Sequence, residues 1–472
     1  MSSNLFERKE WGQADMADKN TMQDMTTGNP TSHILKFFFP LLFGMLFQQL
    51  YNLVDTAIVG KFLGPPALAA VGATGSVNFL VIGFCMGVCN GFAIPAAQKF
   101  GAKDEQGLRR FVANSVWLAI VFAVVMTVAV SLLCRQILVW MDTPPDILEG
   151  AYSYIIVIFL GIPVTYLYNL LSGFMRALGD SRTPLVFLII SSLLNIAFDL
   201  AAILIFHLGV AGAAYATVLA QLISGILCLI YMIKKFPILH IRKGEWRLSG
   251  HCVARLCGMG IPMGLQYSIT AIGSVILQKS VNLLGSTVVA AIASGGKLSM
   301  FLCCPFDAMG STMATYAGQN LGAKKLDRVD RGIFSCSRLA LVYSLFACVV
   351  VFLVGKYMAL LFVDGSETEL IGLIQSYLRW MGVFYFPLAL VNIVRFTIQG
   401  LGFGKLAILA GVCEMAARSV VGYFFVPRLG FIAACTASPV AWILADAFLI
   451  PAYFLVVRYL RQHILEKGAD AA

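Results

Sequence analysis

The chain has few charged residues for its length. Of its 472 residues, 12% are Asp, Glu, Lys or Arg and 59% are hydrophobic, whereas an ordinary soluble domain has about 25% charged residues. Its hydrophobic runs are long and continuous, so the short alternating strands of an outer-membrane barrel are not present in them. The composition excludes a soluble globular protein and indicates an all-α integral membrane protein.

Catalytic and metal-binding signatures are also lacking. The five histidines are scattered, and the hydrophobic runs contain no HExxH, GxSxG or clustered His-Asp pattern, so we do not expect an enzyme. The twelve cysteines lie mostly inside those runs and have no histidine nearby, which favours apolar packing over metal binding. We therefore expect no resident cofactor and no structural metal.

Twelve segments are long enough to cross a bilayer as helices. They lie near residues 34–61, 67–98, 112–141, 147–174, 184–206, 210–233, 253–284, 287–317, 333–363, 368–398, 405–426 and 431–457. Basic residues are concentrated in alternate loops, such as those containing Lys99, Arg109, Arg176, Lys234 and Arg328. By the positive-inside rule both termini then lie in the cytoplasm of a multi-pass cell-membrane protein.

The net charge of +10 is explained by this topology and by contact with anionic membrane lipids. A nucleic-acid partner would need a folded basic face, and none is visible. The first thirty residues are polar, mixed in charge and without a cleavable apolar core, so they are expected to form a disordered tail and not a signal peptide.

The sequence contains two copies of one six-helix unit. A shift of 221 residues carries Gln98 onto Gln319 and Gly101 onto Gly322, within the similar motifs QKFGAK and QNLGAK. Because each copy has an even number of spans, the copies form two lobes related by a pseudo-two-fold axis along the membrane normal. We expect a cytoplasmic tail at 1–30, an N-terminal lobe at 31–234, a cytoplasmic linker at 235–251, a C-terminal lobe at 252–460 and a cytoplasmic tail at 461–472. This duplication favours a transporter that works by alternating access, and an ion channel is the alternative.

Asp55 places a carboxyl group inside the first apolar span, where its burial is unfavourable. A carboxylate at membrane depth costs at least about 2.5–3.5 kcal/mol on insertion scales, so such a residue usually faces a cavity or a partner. Gln48, Tyr51 and Asn52 share a helical face with Asp55. This polar stripe predicts a functional surface, and an Asp satisfied by a neighbouring helix is the simpler alternative.

Other spans of the first half supply possible partners for Asp55. Asn195 and Asp199 lie one turn apart in the fifth span, Thr217 lies in the sixth, and Asn169 lies in the fourth. If the first, fifth and sixth spans converge, Asp55, Asn195, Asp199 and Thr217 form an all-oxygen pocket of the kind that hard cations prefer. Two close carboxylates in a low dielectric do not both ionise, so the pocket suits either Na⁺ or H⁺.

The second half carries different buried charges. They are Asp307, Arg395, Glu414, Arg418 and Asp446. Glu414 and Arg418 are four residues apart, so an intramembrane ion pair is their simplest interpretation, and a place on a transport route is the alternative. The asymmetry between the halves places the coupling chemistry in the N-terminal lobe.

Several motifs carry a family resemblance. They are YNLVDTAIVGKFLG after Pro40, AAVGATG, QKFGAKD, FMRALGDSRTP and, in the second half, QNLGAKKLDR. Over roughly residues 30–460 the chain resembles the multidrug and toxic compound extrusion (MATE) transporters. The resemblance implies a two-lobed antiporter, active as a monomer, that expels amphipathic and often cationic drugs in exchange for Na⁺ or H⁺. It also matches Asp55, Asn195, Asp199 and Thr217 to the family's N-lobe cation site, and Gln48, Tyr51 and Asn169 to its cavity.

One departure from the family pattern indicates which subgroup of the family the chain resembles. A branch of the family uses acidic residues in its seventh and tenth helices, and these have no counterpart here, where the tenth span has Asn392 and Arg395. The chain therefore looks closer to the DinF-like subgroup with an N-lobe site. The main rival is a related two-lobed flippase for lipid-linked saccharides, which would favour a cavity rich in Arg and Lys. A six-plus-six major facilitator is a further alternative, although its lobes usually have a longer linker.

Overall fold

The computed structural model describes residues 22–141, 143–361, 363 and 365–469, and within them the regular structure is entirely helical. The first half has seven α-helices followed by a short linker. They are α1 (Pro30–Leu63), α2 (Pro65–Gly101), α3 (Glu105–Trp140), α4 (Pro145–Leu160), α5 (Ile162–Ala177), α6 (Arg182–Leu200) and α7 (Gly209–Lys235).

The second half repeats this order with one short extra helix. Its elements are α8 (Gly250–Val281), α9 (Ser286–Gly322), α10 (Leu326–Ala359), α11 (Thr368–Val383), α12 (Tyr385–Gly400), α13 (Gly404–Val420), α14 (Val426–Leu429) and α15 (Phe431–Ala469). A five-residue π-helical turn follows the fifth span of each half, at Ala201–Ile205 and at Val421–Phe425.

The described residues give twelve candidate membrane spans. Ten are single helical segments, and two are bent pairs, α4 with α5 at 48° and α11 with α12 at 50°. The sequence predicted each pair as one straight span. Pro163 and Pro387 lie just after the breaks, and a proline removes a backbone N–H and clashes with the carbonyl four residues earlier, which accounts for both bends.

Two hydrophobic cores fill the two halves, and α1 contributes to both. The first core gathers buried residues from Val59 to Leu256. The second gathers residues of α9 to α15 together with Ile34, Phe37 and Phe38 from the start of α1. The first helix therefore begins against the second half and ends in the first, so it joins the two halves directly.

Residues 22–29 are packed against one end of the molecule. We call this the basic end, because its loops carry Lys99, Lys103, Arg109, Lys324 and Arg328. Met25 is fully buried there, and its backbone N–H donates to Gln319 Oε1 at 3.0 Å. Lys325 donates to the carbonyl of Thr26, and Arg328 donates to the carbonyls of Met25, Thr27 and Gly28, at 2.8–3.1 Å.

This segment departs from the expectation of a disordered tail up to residue 30. It is fixed because C-half side chains satisfy its backbone carbonyls, a signal that its own polar sequence does not carry. The remainder of that predicted tail, residues 1–21, lies outside the described residues.

Glycines allow the two halves to touch closely, both within the length of α2 and at the basic end. A Cβ on Gly91 would lie 2.5 Å from Gly260 Cα, and one on Gly101 would lie 1.9 Å from the carbonyl oxygen of Gln319. In the matching position of the other half, a Cβ on Gly322 would lie 1.8 Å from the carbonyl oxygen of Gln98. Contacts this short leave no space for any side chain.

At the same end, two glutamine side chains form equivalent hydrogen bonds between the two halves. Gln98 Nε2 donates to the carbonyl of Gly400 at 2.8 Å, and Gln319 Nε2 donates to the carbonyl of Ala177 at 2.9 Å. Each amide thus binds the last turn of a helix in the opposite half. We call these two bonds and the glycine contacts around them the basic-end gate.

The linker between the halves is held to α3 by an ion pair. Arg109 Nε donates to both carboxylate oxygens of Glu245 at 3.0 Å, and the Arg242 backbone N–H donates to the same carboxylate at 2.8 Å. Burial raises the pKa of Glu245, but these hydrogen bonds outweigh burial and lower the pKa below its ordinary value. The pair therefore stabilises the folded state above that pKa, and its contribution is lost as the pH falls through it.

We expect Glu245→Gln to lower the free energy of unfolding by about 1–3 kcal/mol at pH 7, because Arg109 loses its charged acceptor. Thermal unfolding of the purified protein in detergent measures this effect. Glu105→Gln is the matched control, since Glu105 also contacts Arg109, at 3.3 Å, but is 42% exposed, and such a pair is worth about 0–1 kcal/mol. Equal losses in the two variants would contradict the assignment.

Candidate functional site

A buried polar pocket lies among α1, α6 and α7. Asp55 comes from α1, Asn195 and Asp199 from α6, and Thr217 from α7; the first three are 9%, 2% and 0% exposed. Asn195 Nδ2 donates to Thr217 Oγ1 at 3.2 Å, and that hydroxyl donates to the carbonyl of Ala213 at 3.0 Å. The structure thus brings together the four residues that the sequence grouped as a cation pocket.

The pocket holds oxygen atoms that no donor satisfies. Among the described residues, no hydrogen-bond partner reaches Asp55 Oδ1, Asn195 Oδ1 or either carboxylate oxygen of Asp199. Asp55 and Asp199 nevertheless lie close enough for one proton to join their carboxyl groups. Buried polar atoms are normally paired, because leaving them unpaired costs free energy. Four convergent oxygens suit a bound Na⁺ or a shared proton, so the donor set fits the expected cation.

Two tyrosines stand beside the carboxylates. Tyr51 lies near both Asp55 and Asp199 and reaches back to Gln48 on the same helix. Tyr154 of α4 also lies near both carboxylates and is buried. Sequence reasoning missed Tyr154, and its only signal was a polar hydroxyl inside the apolar run YSYIIVIF. Asn52, which the helical spacing grouped with Tyr51, is exposed.

The π-helical turn Ala201–Ile205 begins two residues after Asp199. Such turns widen the helix and occur frequently at functional sites. The second half has its π turn three residues after Arg418. Neither sequence segment contains a pattern that predicts a π-helical turn.

A cavity of about 190 Å³ lies between the two halves. Gln48 and Asn169 line it, together with Asn90, Arg176 and Tyr267. Tyr51, Asp55 and Asp199 are not part of the lining, so the pocket and the cavity are separate spaces. They are connected by α1, where Gln48 and Asp55 lie seven residues apart, or about 10 Å along the helix axis.

Arg176 was counted from the sequence with the basic loop residues. The structure places it in the cavity wall, where Nη1 donates to Ser172 Oγ at 2.8 Å and Nη2 donates to Asn90 Oδ1 at 3.0 Å. The sequence signal was ambiguous, because Arg176 is the next-to-last residue of its helix.

The buried charges of the second half form a largely paired network. Glu414 accepts one hydrogen bond from Arg395 and another from Arg418 Nη2, the latter at 3.1 Å. The ion pair expected from the spacing of Glu414 and Arg418 is therefore present, and Arg395 of α12 joins it. Asp307 accepts from Asn392 Nδ2 at 2.9 Å.

Asp446 of α15 completes the set of buried charges. It lies close enough to Arg395 for their charges to interact, but no hydrogen-bond donor among the described residues reaches its Oδ1. The described residues contain no cluster of His, Cys, Asp and Glu suited to a transition metal.

Two helical lobes around a central cavity, with a polar pocket in one lobe, define the class of two-lobed membrane transporters. The chain belongs to the MatE family, whose model matches residues 40–201 and 262–424, once in each half. It is 30% identical over 373 residues to the probable multidrug resistance protein YpnP of Bacillus subtilis (strain 168), covering 79% of this chain and 82% of that protein.

Two further comparisons agree on the family and the fold. The probable multidrug resistance protein NorM of Thermotoga maritima is 24% identical over 374 residues, which are 78% of this chain and 80% of that protein. A solved structure, described as the outward-facing conformation of a multidrug resistance MATE family transporter of the MOP superfamily, superposes with a TM-score of 0.86. It is 22% identical and covers 93% of this chain and 99% of its own. These comparisons confirm the family and the twelve-span helical fold that the sequence predicted.

We expect Glu414→Gln to destabilise the protein by about 3–5 kcal/mol, because it leaves two buried guanidinium groups without their shared counter-charge. Thermal unfolding in detergent gives the measurement. Asp446→Asn is the control, since Asp446 forms no ion pair with the residues described in the structure and its loss should cost much less. A Glu414→Gln protein as stable as the parent would show that the network does not stabilise the second half.

Proposed function

We propose that the protein exports amphipathic organic molecules in exchange for an inward-moving cation, Na⁺ or H⁺, by alternating access. The observation that carries the proposal is the set of unpaired, buried oxygens of Asp55, Asn195 and Asp199. A carboxylate pair without a donor is stable in a membrane only with a proton or a cation. The family membership supports an efflux substrate, and the cavity beside the pocket provides space for it.

The helix α1 is the element that couples the two spaces. It presents Gln48 to the cavity and Asp55 to the pocket, and it contains Pro40, where a helical hydrogen bond is missing and bending is easy. Cation binding neutralises Asp55 and Asp199 and draws α1 toward α6. The cavity wall that Gln48 provides then moves, and the substrate loses contacts with the first half and leaves.

The basic-end gate defines which side is closed. The positive-inside rule assigns the basic end to the cytoplasm, so the structure corresponds to a state closed toward the cytoplasm. Opening the gate breaks the Gln98–Gly400 and Gln319–Ala177 bonds and separates the glycine contacts. The cation is then released inward and a new substrate enters.

The membrane potential contributes to this exchange. Each net charge that moves across it gains about 2.3 kcal/mol per 100 mV. That energy supports a substrate gradient of roughly fiftyfold per coupled charge.

We expect Asp55→Asn and Asp199→Asn each to abolish cation-driven efflux, because each change removes one of the two carboxylates that share the proton or bind the cation. Uptake of a fluorescent amphipathic compound into inverted vesicles, whose cytoplasmic face is outside, under an imposed Na⁺ gradient and then under an imposed pH gradient, measures the loss and identifies the ion. Asp146→Asn is the control, since Asp146 is exposed at the first turn of α4. Wild-type rates in both pocket variants would refute the coupling site.

We expect Gly322→Ala to weaken the basic-end gate, because its Cβ would meet the Gln98 carbonyl at 1.8 Å. Faster hydrogen–deuterium exchange in residues 98–103 and 319–325 should accompany reduced transport. Gly296→Ala lies in the same helix with no atom within 4 Å of its Cβ, so it should leave both unchanged. Unaltered exchange in Gly322→Ala would mean that the gate contact is not tight.

A further inference from the structure

The only charge in the lining of the cavity between the halves is positive, among the residues that the structure describes. Among the lining residues that the structure describes, Arg176 is the one side chain with a formal charge at pH 7. The other polar contributions come from neutral groups such as Gln48, Asn90, Asn169 and Ser172. No acidic residue among those described is part of this lining, and Asp55 and Asp199 lie in the cation pocket outside it.

The Arg176 side chain points into the protein and away from the basic end. It donates hydrogen bonds to Ser172, one turn earlier on α5, and to Asn90 of α2. Asn90 precedes the end of α2 at Gly101 by eleven residues, which is about 16 Å along the helix axis. A long basic side chain near a helix end usually extends toward water, so the inward direction of Arg176 needs another cause.

The guanidinium has neutral neighbours and unused donors. Tyr168, Tyr267, Cys89 and Cys228 lie near it, and all four are uncharged at pH 7. The two hydrogen bonds of the guanidinium use two of five N–H groups, and Arg176 is part of the cavity lining, so three donors remain for a ligand in the cavity. By contrast, Arg395 and Arg418 are both paired with Glu414.

The rest of the cavity wall is apolar and adaptable. Met45, Met86, Met263, Leu188 and Phe396 surround the polar patch. Methionine side chains adjust to ligands of varied shape. The wall therefore suits a hydrophobic body, and the guanidinium suits a group of negative charge at one end of it.

We infer that the cavity binds amphipathic organic anions, whose carboxylate or phosphate oxygens accept hydrogen bonds from Arg176. The inference rests on the proposed function, and it changes the substrate class from the organic cations that the family resemblance implied. The bound anion supplies the counter-charge that Arg176 lacks. Charge-assisted bonds of a guanidinium to an oxyanion are among the strongest that a protein makes.

This substrate charge has an electrical consequence. Export of a monoanion in exchange for one inward cation moves two positive charges inward, so a potential of 100 mV supports a gradient of roughly two-thousandfold. A neutral substrate would move one charge, and a monocationic substrate would move none. The dependence of the rate on membrane potential therefore reports the charge of the substrate.

The test compares probes that share one body and differ in the end group. Binding of 1-pyrenebutyrate, 1-pyrenebutanol and 1-pyrenebutylammonium to the purified full-length protein in nanodiscs is followed by fluorescence anisotropy, with 1-naphthyl phosphate as a competitor. We expect the carboxylate to bind at least tenfold more tightly than the alcohol and the ammonium probe. Competition by the phosphate, compared with 1-naphthol, decides whether the site also accepts phosphate esters.

Two variants locate the anion at Arg176. Arg176→Gln should raise the Kd of the carboxylate probe about tenfold or more and leave that of the alcohol unchanged, while Arg176→Lys should restore part of the difference. Arg182→Gln is the matched control, because Arg182 is exposed at the start of α6 and outside the cavity lining. If Arg176→Gln does not fold, the ranking of probes by the wild-type protein and by Arg176→Lys still decides the question.

The inference and the proposed function fail in different ways. Equal or tighter binding of the ammonium probe by the wild-type protein would overturn the anion site even if Asp55→Asn abolishes efflux. Conversely, anion binding that depends on Arg176 would stand even if Asp55→Asn transported at the wild-type rate, and only the coupling site would then be wrong. In vesicles, a transport rate for the carboxylate that is independent of membrane potential would also overturn the anion site.

Discussion

The cost of placing charge in a medium that cannot solvate it constrains every functional part of this structure. The protein meets that cost in three ways. In the second half, Glu414 forms ion pairs with both Arg395 and Arg418, so much of the buried charge is paired within the protein. In the first half, Asp55 and Asp199 have no cationic partner among the described residues, and this is the basis on which we propose a bound cation there. Arg176 has only neutral hydrogen-bond acceptors and faces the space that a substrate enters.

The two halves share a scaffold but differ in chemistry. The bent spans, the π turns and the glutamines of the basic-end gate occur once in each half, so the machinery of movement is symmetric. The first half contains the close carboxylates Asp55 and Asp199, whereas the second half contains the ion pairs of Glu414 with Arg395 and Arg418. In the proposed coupling, a cation changes the charge of the first lobe alone, and α1, which packs on both cores, is the element placed to transmit that change.

Much of this arrangement was predictable from the sequence, because hydrophobic length and repetition are strong signals. The twelve spans and the grouping of Asp55 with Asn195, Asp199 and Thr217 follow from apolar runs and helical spacing. The bends at Gly161 and Phe384 were missed, since a proline inside an apolar run reduces its hydropathy very little. Tyr154 and Arg176 were missed for a different reason: their roles depend on which neighbours the folded helices bring near them. Spacing along one helix contains no information about contacts between helices.

The docking of residues 22–29 has a consequence for how the chain is made. The groups that hold this segment, Gln319, Lys325 and Arg328, are synthesised about three hundred residues after it. The apolar start of α1, with Ile34 and Phe37, likewise waits for the core of the second half. During translation residues 22–29 therefore stay without their partners until the start of α10 has been made. A chain interrupted before α9 would keep this beginning exposed, which is a feature that a protease or chaperone can recognise as the mark of an unfinished protein.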